Sequence, residues 1–328
     1  MRCRICANSE GNTLYEVKEM QFGTRDKFVY FQCSKCSCLQ IAEIPVELSK
    51  YYPPDYYSYN IPVWLSGSEN LFSSFLKGIR NNYAIRKRGF IGKWLYSKYP
   101  AKGLEKELLQ HFPGHPEDLY EKESRILDIG CGNGRFLHVL RTVGFKNVMG
   151  IDPYCEKDIL YANGLRILKK SIRNITGEFD LVMLHHSFEH MPNPLETLRD
   201  VSRLLSKNGY CVIRIPIVDS YAWRHYRENW MGLDAPRHLF LHSLKSIKVL
   251  VDKVELKIVK IVYDSSEYTL WASEQYKKDI PLESEKSYLK DKYKSIFSTE
   301  DIEMFKKQAK ELNRRSEGDT VAIYLHKS

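Results

Sequence analysis

The chain has no run of eighteen apolar residues, which excludes a helix long and greasy enough to cross a bilayer. It begins Met-Arg-Cys-Arg, without the apolar segment of a secretory signal, so the expected compartment is the cytoplasm. From Leu71 to Lys102 there is no acidic residue against eight Lys or Arg, a local imbalance within a net charge of +9 that favours anionic partners. A third glycine is also missing. After Gly130-x-Gly132 the dinucleotide fingerprint requires one at 135, where Arg135 stands, so NAD is disfavoured. Within these bounds, 328 residues of which 43% are apolar can bury a full core and leave room for a second small domain.

The most informative stretch is residues 125–134, Arg-Ile-Leu-Asp-Ile-Gly-Cys-Gly-Asn-Gly. Ile126, Leu127 and Ile129 make an apolar strand. Gly130, Gly132 and Gly134 then let the backbone bend and bring its N–H groups against a ligand before a helix starts. Asp152 follows Gly132 by twenty residues, at the end of the second apolar strand, Val148 to Ile151, where a carboxylate can accept from ribose hydroxyls. The turn and the acid together specify a nucleotide site in an α/β sheet far better than either does alone.

Cysteine usage points to metal. Cys3-x-x-Cys6 and Cys33-x-x-Cys36 are separated by twenty-six residues, and two such knuckles converge four thiolates on one tetrahedral zinc. Residues 1–45 therefore read as a zinc ribbon with short strands at Leu14–Val17 and Phe28–Gln32, stabilised by the metal on the order of 10 kcal/mol. Cys38 is either a buried thiol or a substitute for Cys36, while Cys131, Cys155 and Cys211 are dispersed like small apolar residues.

Residues 46–103 form an aromatic and basic bridge or lid. Tyr51, Tyr52, Tyr56, Tyr57 and Tyr59 lie among prolines that prevent a continuous helix, and Leu71, Phe72, Phe75, Leu76, Ile79 and Tyr83 recur at helical spacing opposite a cationic face. That helix either packs with its basic face in solvent or meets phosphate or an anionic membrane. Residues 217–243 are an aromatic insertion beyond a strand end, where ligands of open α/β sheets bind. Residues 265–318 read as inserted helices, with Tyr288, Leu289, Tyr293, Ile296 and Phe297 on an apolar face, before a last strand at Thr320–His326.

The glycine segment resembles the first motif of the class I S-adenosylmethionine-dependent methyltransferases. Phe179–Leu184 resembles that superfamily's fourth strand, His185–Pro194 the loop and helix start after it, and Leu198–Pro216 its next helix, glycine turn and fifth strand. The resemblance covers roughly 104–264 plus the final strand, and implies a seven-stranded Rossmann-like methyltransferase sheet within a domain at 104–328. It implies S-adenosylmethionine held by Asp128, Gly130, Cys131, Gly132, Gly134, Asp152, Pro153, Ser171, Ile172 and His185, with Asp128 facing the methionine amine.

The Leu233-Asp-Ala-Pro-Arg-His-Leu239 segment, the tyrosine bridge and the ribbon together resemble a bacterial methyltransferase group of cell-surface polysaccharide biosynthesis. The acceptor expected is then a hydroxyl of a nucleotide sugar or lipid-linked glycan, with peripheral contact at an anionic membrane. A sugar hydroxyl needs a base, and His186 and His238 are the candidates, with His190 either in the same pocket or a packing residue at a helix start. Trp223, Tyr226, Trp230, Asp234 and Arg237 are the expected acceptor contacts, although Asp234 and Arg237 can equally form an ion pair that holds the loop. A ribosomal RNA methyltransferase with an RNA-binding ribbon is the second reading, disfavoured because no Asn-Pro-Pro-Tyr motif follows the fourth strand, and a non-catalytic adenosylmethionine-binding scaffold is the third.

Overall fold

The computed structural model describes residues 1–53, 76–81, 83, 89–100 and 123–327. Tyr56, Tyr57 and Tyr59, and most of the basic stretch 71–88, lie outside the described residues. The chain divides into two units, one formed by 1–53, 188–198 and 214–323, the other by 54–187, 199–213 and 324–328.

The first unit opens with the expected strands. β1 (Thr13–Lys18) pairs antiparallel with β2 (Lys27–Gln32), which places Tyr15 across from Tyr30. β3 (Leu39–Ile41) continues the sheet, and β10 (Phe240–Leu241) closes it in the order β1-β2-β3-β10. The fourth strand brings Phe240 and Leu241 to join Leu39, Ile41 and Tyr30 in a buried core. The ribbon segment is thus built into a larger unit by chain from two hundred residues downstream.

Helices complete this unit, each begun by a serine that accepts a backbone N–H. Ser220 caps α4 (Tyr221–Tyr226), Ser243 caps α5 (Leu244–Val251), Ser266 caps α6 (Glu267–Lys277) and Ser298 caps α7 (Thr299–Arg314). Of the inserted helices expected over 265–318, α6 and α7 form, while 283–297 between them is a series of turns, because side chains there bind their own backbone: Asp291 accepts from the N–H groups of Tyr293 and Lys294. Tyr288 nonetheless packs edge-on against Trp271 at 5.3 Å, while Tyr293 is fully exposed.

In the second unit β4 (Ile126–Ile129) is buried along its whole length and runs parallel to β5 (Val148–Ile151) and β8 (Phe179–His185). Such a strand has to be apolar on both faces, as Ile126, Leu127 and Ile129 are. β7 (Arg166–Leu168) extends the parallel set, and β6 (Ile159–Leu160) adds an antiparallel edge that makes eight strands of the expected seven. β9 (Leu205–Pro216) and β12 (Thr320–His326) run from one unit into the other, and β11 (Lys257–Tyr263) ends the order β11-β12-β9-β8-β4-β5-β7-β6. α1 (Phe90–Lys98), α2 (Arg135–Thr142) and α3 (Pro194–Leu204, partly in the first unit) are the other helices with defined bounds among the described residues.

Trp230 shows how the first unit holds its long insertion. Its ring has no solvent exposure, and its indole N–H donates to the buried carboxylate of Asp319 at 2.8 Å. Trp230→Phe leaves that carboxylate oxygen short of a donor and should lower stability by about 1–3 kcal/mol, read as a fall in the urea midpoint. An unchanged midpoint would show that the bond contributes nothing.

Candidate active site

The glycine turn emerges from β4 in a conformation only glycine tolerates well. Gly130, Gly132 and Gly134 have φ of +72°, +53° and +75°. Space is as restrictive as torsion: a Cβ on Gly130 would sit 2.6 Å from the Ser187 Cβ, and one on Gly134 2.4 Å from Ile167 Cδ1. Ser187, which sequence reasoning passed over, donates its hydroxyl to the Ile129 carbonyl at 2.7 Å and so ties the loop after β8 to the turn after β4.

Two acids face this turn. Asp152 accepts from the Gly132 N–H at 3.0 Å through one oxygen and from the Tyr154 N–H at 2.9 Å through the other, which fixes it at the end of β5. Asp128 is different: it is buried, and among the described residues its Oδ1 has no hydrogen-bond partner. Burial first, and the charge of Asp152 second, push its carboxyl up to about 7. A buried acceptor left unsatisfied at the mouth of a nucleotide turn is suited to a ligand that brings a cationic donor. Cys131 is half-buried in the turn, with its thiol raised by burial; Pro153 and Ser171 are exposed; and Ile172, half-buried, starts a short 3-10 turn. His185, at the end of β8, lies edge-on to Phe136 at 5.5 Å. His186 is exposed and holds φ +48°, a left-handed conformation unusual for histidine.

Residues 99–261 match the family described as a methyltransferase domain. This chain carries a methyltransferase domain. Its sheet is Rossmann-like, as expected, and mixed, with an antiparallel β6. The chain is 26% identical over 147 residues to the mitochondrial ubiquinone biosynthesis O-methyltransferase of Saccharomyces cerevisiae, covering 41% of this chain and 46% of that protein. It is 32% identical over 127 residues to a tRNA U34 carboxymethyltransferase of Desulfotalea psychrophila, covering 34% of this chain and 39% of that one. The chain thus spans less than half the length of these curated relatives. Among solved structures, an S-adenosylmethionine-dependent methyltransferase from Archaeoglobus fulgidus aligns with TM-score 0.41 and 20% identity over 73% of this chain and all of that one.

In the first unit, Cys3, Cys6, Cys33 and Cys36 bring their four sulfurs within 4.8 Å of one another. The Cys3–Cys36 and Cys6–Cys33 pairs are 3.6 and 3.5 Å apart. Hydrogen bonding from Cys36 holds the Cys3 thiol down to about 4 against the effect of burial, and raises Cys36 in turn. Donors already face the sulfurs: the Ile5 N–H and the Gln40 amide both point at Cys3 Sγ, at 3.4 and 3.1 Å. The donor set and its spacing fit a tetrahedral zinc. Cys38 stays out of the cluster, fully buried with its thiol toward the Leu39 carbonyl, which resolves it as a packing residue.

The insertion 217–243 is where the structure departs from expectation. Trp223, Tyr226 and Trp230 are buried at 2%, 4% and 0% exposure, Trp223 against Tyr15 at 5.0 Å and against Trp230 at 6.2 Å, so they are core rather than open faces for sugar rings. Arg237 is likewise not an open fork for a phosphate. Its guanidinium donates to both oxygens of Asp234 (2.6–3.1 Å), to Glu19 at 3.0 Å and to the Tyr51 carbonyl at 3.1 Å, with no solvent exposure. Glu19 in turn accepts from the Phe22 and Thr24 N–H groups. Burial alone would lower the Arg237 pKa, but Asp234 and Glu19 raise it, so the charge persists. The ion-pair alternative is the one observed. No local pattern around Glu19 marked it, because its partner lies 218 residues away.

His238 sits in the same network, donating from Nδ1 to the Gly232 carbonyl at 2.8 Å, with Nε2 3.8 Å from Glu189 and 3.7 Å from Asp234. His190 donates from Nδ1 to the Arg237 carbonyl at 2.8 Å and meets His238 edge-on at 4.8 Å. Arg237→Ala would strand two buried carboxylates and should cost about 3–5 kcal/mol of stability, with loss of the unfolding baseline at ordinary temperature. Retention of full stability in chemical denaturation would return Arg237 to the list of acceptor contacts.

Proposed function

We propose that this chain transfers a methyl group from S-adenosylmethionine to a hydroxyl of a nucleotide sugar or lipid-linked glycan. The single observation that carries the cofactor is the Asp128 carboxyl, buried and short of a donor beside a turn whose glycines admit no side chain. Asp128 would take the methionine ammonium, Asp152 the ribose edge, and the Gly130–Gly134 backbone the space between them. The cofactor supplies a sulfonium methyl for in-line displacement when bound. The chain then has to hold the acceptor, exclude water and remove one proton. His186 is the base in this reading: it is exposed at the end of β8, and its left-handed backbone is the kind of strain that functional positions retain.

The glycan acceptor is supported by the combined Leu-Asp-Ala-Pro-Arg-His-Leu and Tyr-Tyr-Pro segments, and a membrane-side acceptor by α1, which leaves Phe90, Ile91 and Trp94 exposed next to Lys93. Among the described residues no helix is long and apolar enough to cross a membrane. Zinc in the four-thiolate cluster serves a structural role, holding the two knuckles of the first unit together.

Three outcomes follow from this reading. Burial raises the folded Asp128 carboxyl to about 7 from its ordinary 3.8, so between these values the folded group is neutral while the unfolded one is ionised, and its contribution to stability falls as pH rises. An ammonium ligand reverses this by favouring the carboxylate. Adenosylmethionine affinity should therefore weaken as pH drops below about 7, approaching tenfold per unit for one linked proton, and Asp128→Asn should abolish the dependence; calorimetry that finds a flat wild-type profile removes the ammonium assignment. His186→Ala should reduce turnover roughly 10²- to 10⁴-fold with cofactor affinity kept. Labelled methyl transfer to nucleotide sugars or lipid-linked glycans, and none to RNA, is the expected acceptor result, and transfer to RNA alone would displace the glycan reading.

A further inference from the structure

The first unit holds a second constellation of metal-ligand type that the thiolate cluster does not explain. Glu189 and His190 end the short 3-10 turn Phe188–His190, and His238 comes from the Pro-Arg-His loop. Each offers one ligand atom, and the three lie within 4.8 Å of one another.

Both imidazoles are oriented through Nδ1. A carbonyl only accepts, so the bonds to the Gly232 and Arg237 carbonyls, each 2.8 Å, put a ring proton on Nδ1 of His238 and of His190 and make Nε2 the ring atom that remains for a ligand. That is the arrangement in which a backbone carbonyl orients a ligating histidine. The backbone beneath is pinned as well: the Leu239 N–H donates to the Glu189 carbonyl at 2.9 Å, and the Tyr30 hydroxyl to the His238 carbonyl at 2.8 Å.

Glu189 joins Glu19 and Asp234 as the third acidic side chain of this network, in which the Arg237 guanidinium is divided between Glu19 and Asp234. His238 keeps 12% of its side chain exposed, which gives a route in from solvent.

We propose that Glu189, His190 and His238 bind one divalent first-row transition-metal cation, distinct from any zinc held by the four cysteines. Two imidazoles and a carboxylate suit zinc, iron(II), cobalt(II) or nickel(II) better than magnesium or calcium, and three protein ligands leave coordination positions for an oxygen ligand.

The test uses the full chain with its thiolate cluster filled by zinc, titrated with cobalt(II). One further equivalent should bind with weak visible ligand-field bands and no thiolate-to-cobalt charge transfer. Glu189→Gln and His238→Gln should each weaken that binding by more than about tenfold, the scale on which even a neighbour of a ligand matters. Their zinc content and near-ultraviolet circular dichroism report whether the unit still folds. If zinc-loaded wild-type protein takes up no cobalt, or takes it up only with thiolate bands, the site does not exist. If the folded variants bind cobalt as the wild type does, these residues are not its ligands.

Discussion

The first unit is organised around one buried guanidinium. Arg237 draws together Glu19 from the turn after β1, the Tyr51 carbonyl at the end of the N-terminal segment and Asp234 from its own loop. A buried ion pair of this kind adds little net stability, since desolvation offsets most of the attraction, but a wrong register would leave charges unpaired at a cost of several kcal/mol. Its consequence is specificity. The N-terminal sheet can accept only the chain that brings Arg237 and, three residues on, Phe240 and Leu241 as its fourth strand.

That constraint accounts for why the cysteine segment is not an appendage. β10 pairs with β3 at Phe240–Gln40, and Gln40 itself points its amide at Cys3, so the loop and the thiolate cluster share a sheet. The Ser243 hydroxyl also donates to the Cys36 carbonyl, one residue from the helix it caps. The thiolate cluster and the charge at Arg237 are therefore two fasteners on the same four strands, and the aromatic insertion between β9 and β10 folds inward over them instead of outward toward a sugar.

The parts legible in the sequence were those with a local signature. Three glycines at alternate positions, an acid twenty residues on and two Cys-x-x-Cys knuckles each encode geometry within a few residues, and β1, β2, β4, β8 and β12 fell where alternation or apolar runs put them. Trp223, Trp230 and Arg237 were misread for the opposite reason. Aromatic and cationic side chains look the same in a sequence whether they face a ligand or a partner 89 or 218 residues away, as Trp230 faces Asp319 and Arg237 faces Glu19. The helical insertion expected over 265–318 is interrupted at 283–297 because the polar residues between the apolar ones there bind their own backbone and so favour turns.

A difference in hydrogen-bond accounting separates what is structural here from what awaits a ligand. The Arg237 guanidinium is bonded through all three nitrogens and has no solvent exposure, whereas Asp128 is also buried and carries an oxygen that no described residue satisfies. Evolution tolerates such a deficit only where something else makes it good. The stretch from His185 to His190 continues the same logic along the chain, because the division between the units falls between Ser187 and Phe188. On one side of it Ser187 anchors the loop to Ile129 and His186 is held left-handed and open; on the other Glu189 and His190 enter the network of Arg237 and His238. Five of these six consecutive residues thus carry polar groups, His185, His186 and Ser187 in the second unit and Glu189 and His190 in the first.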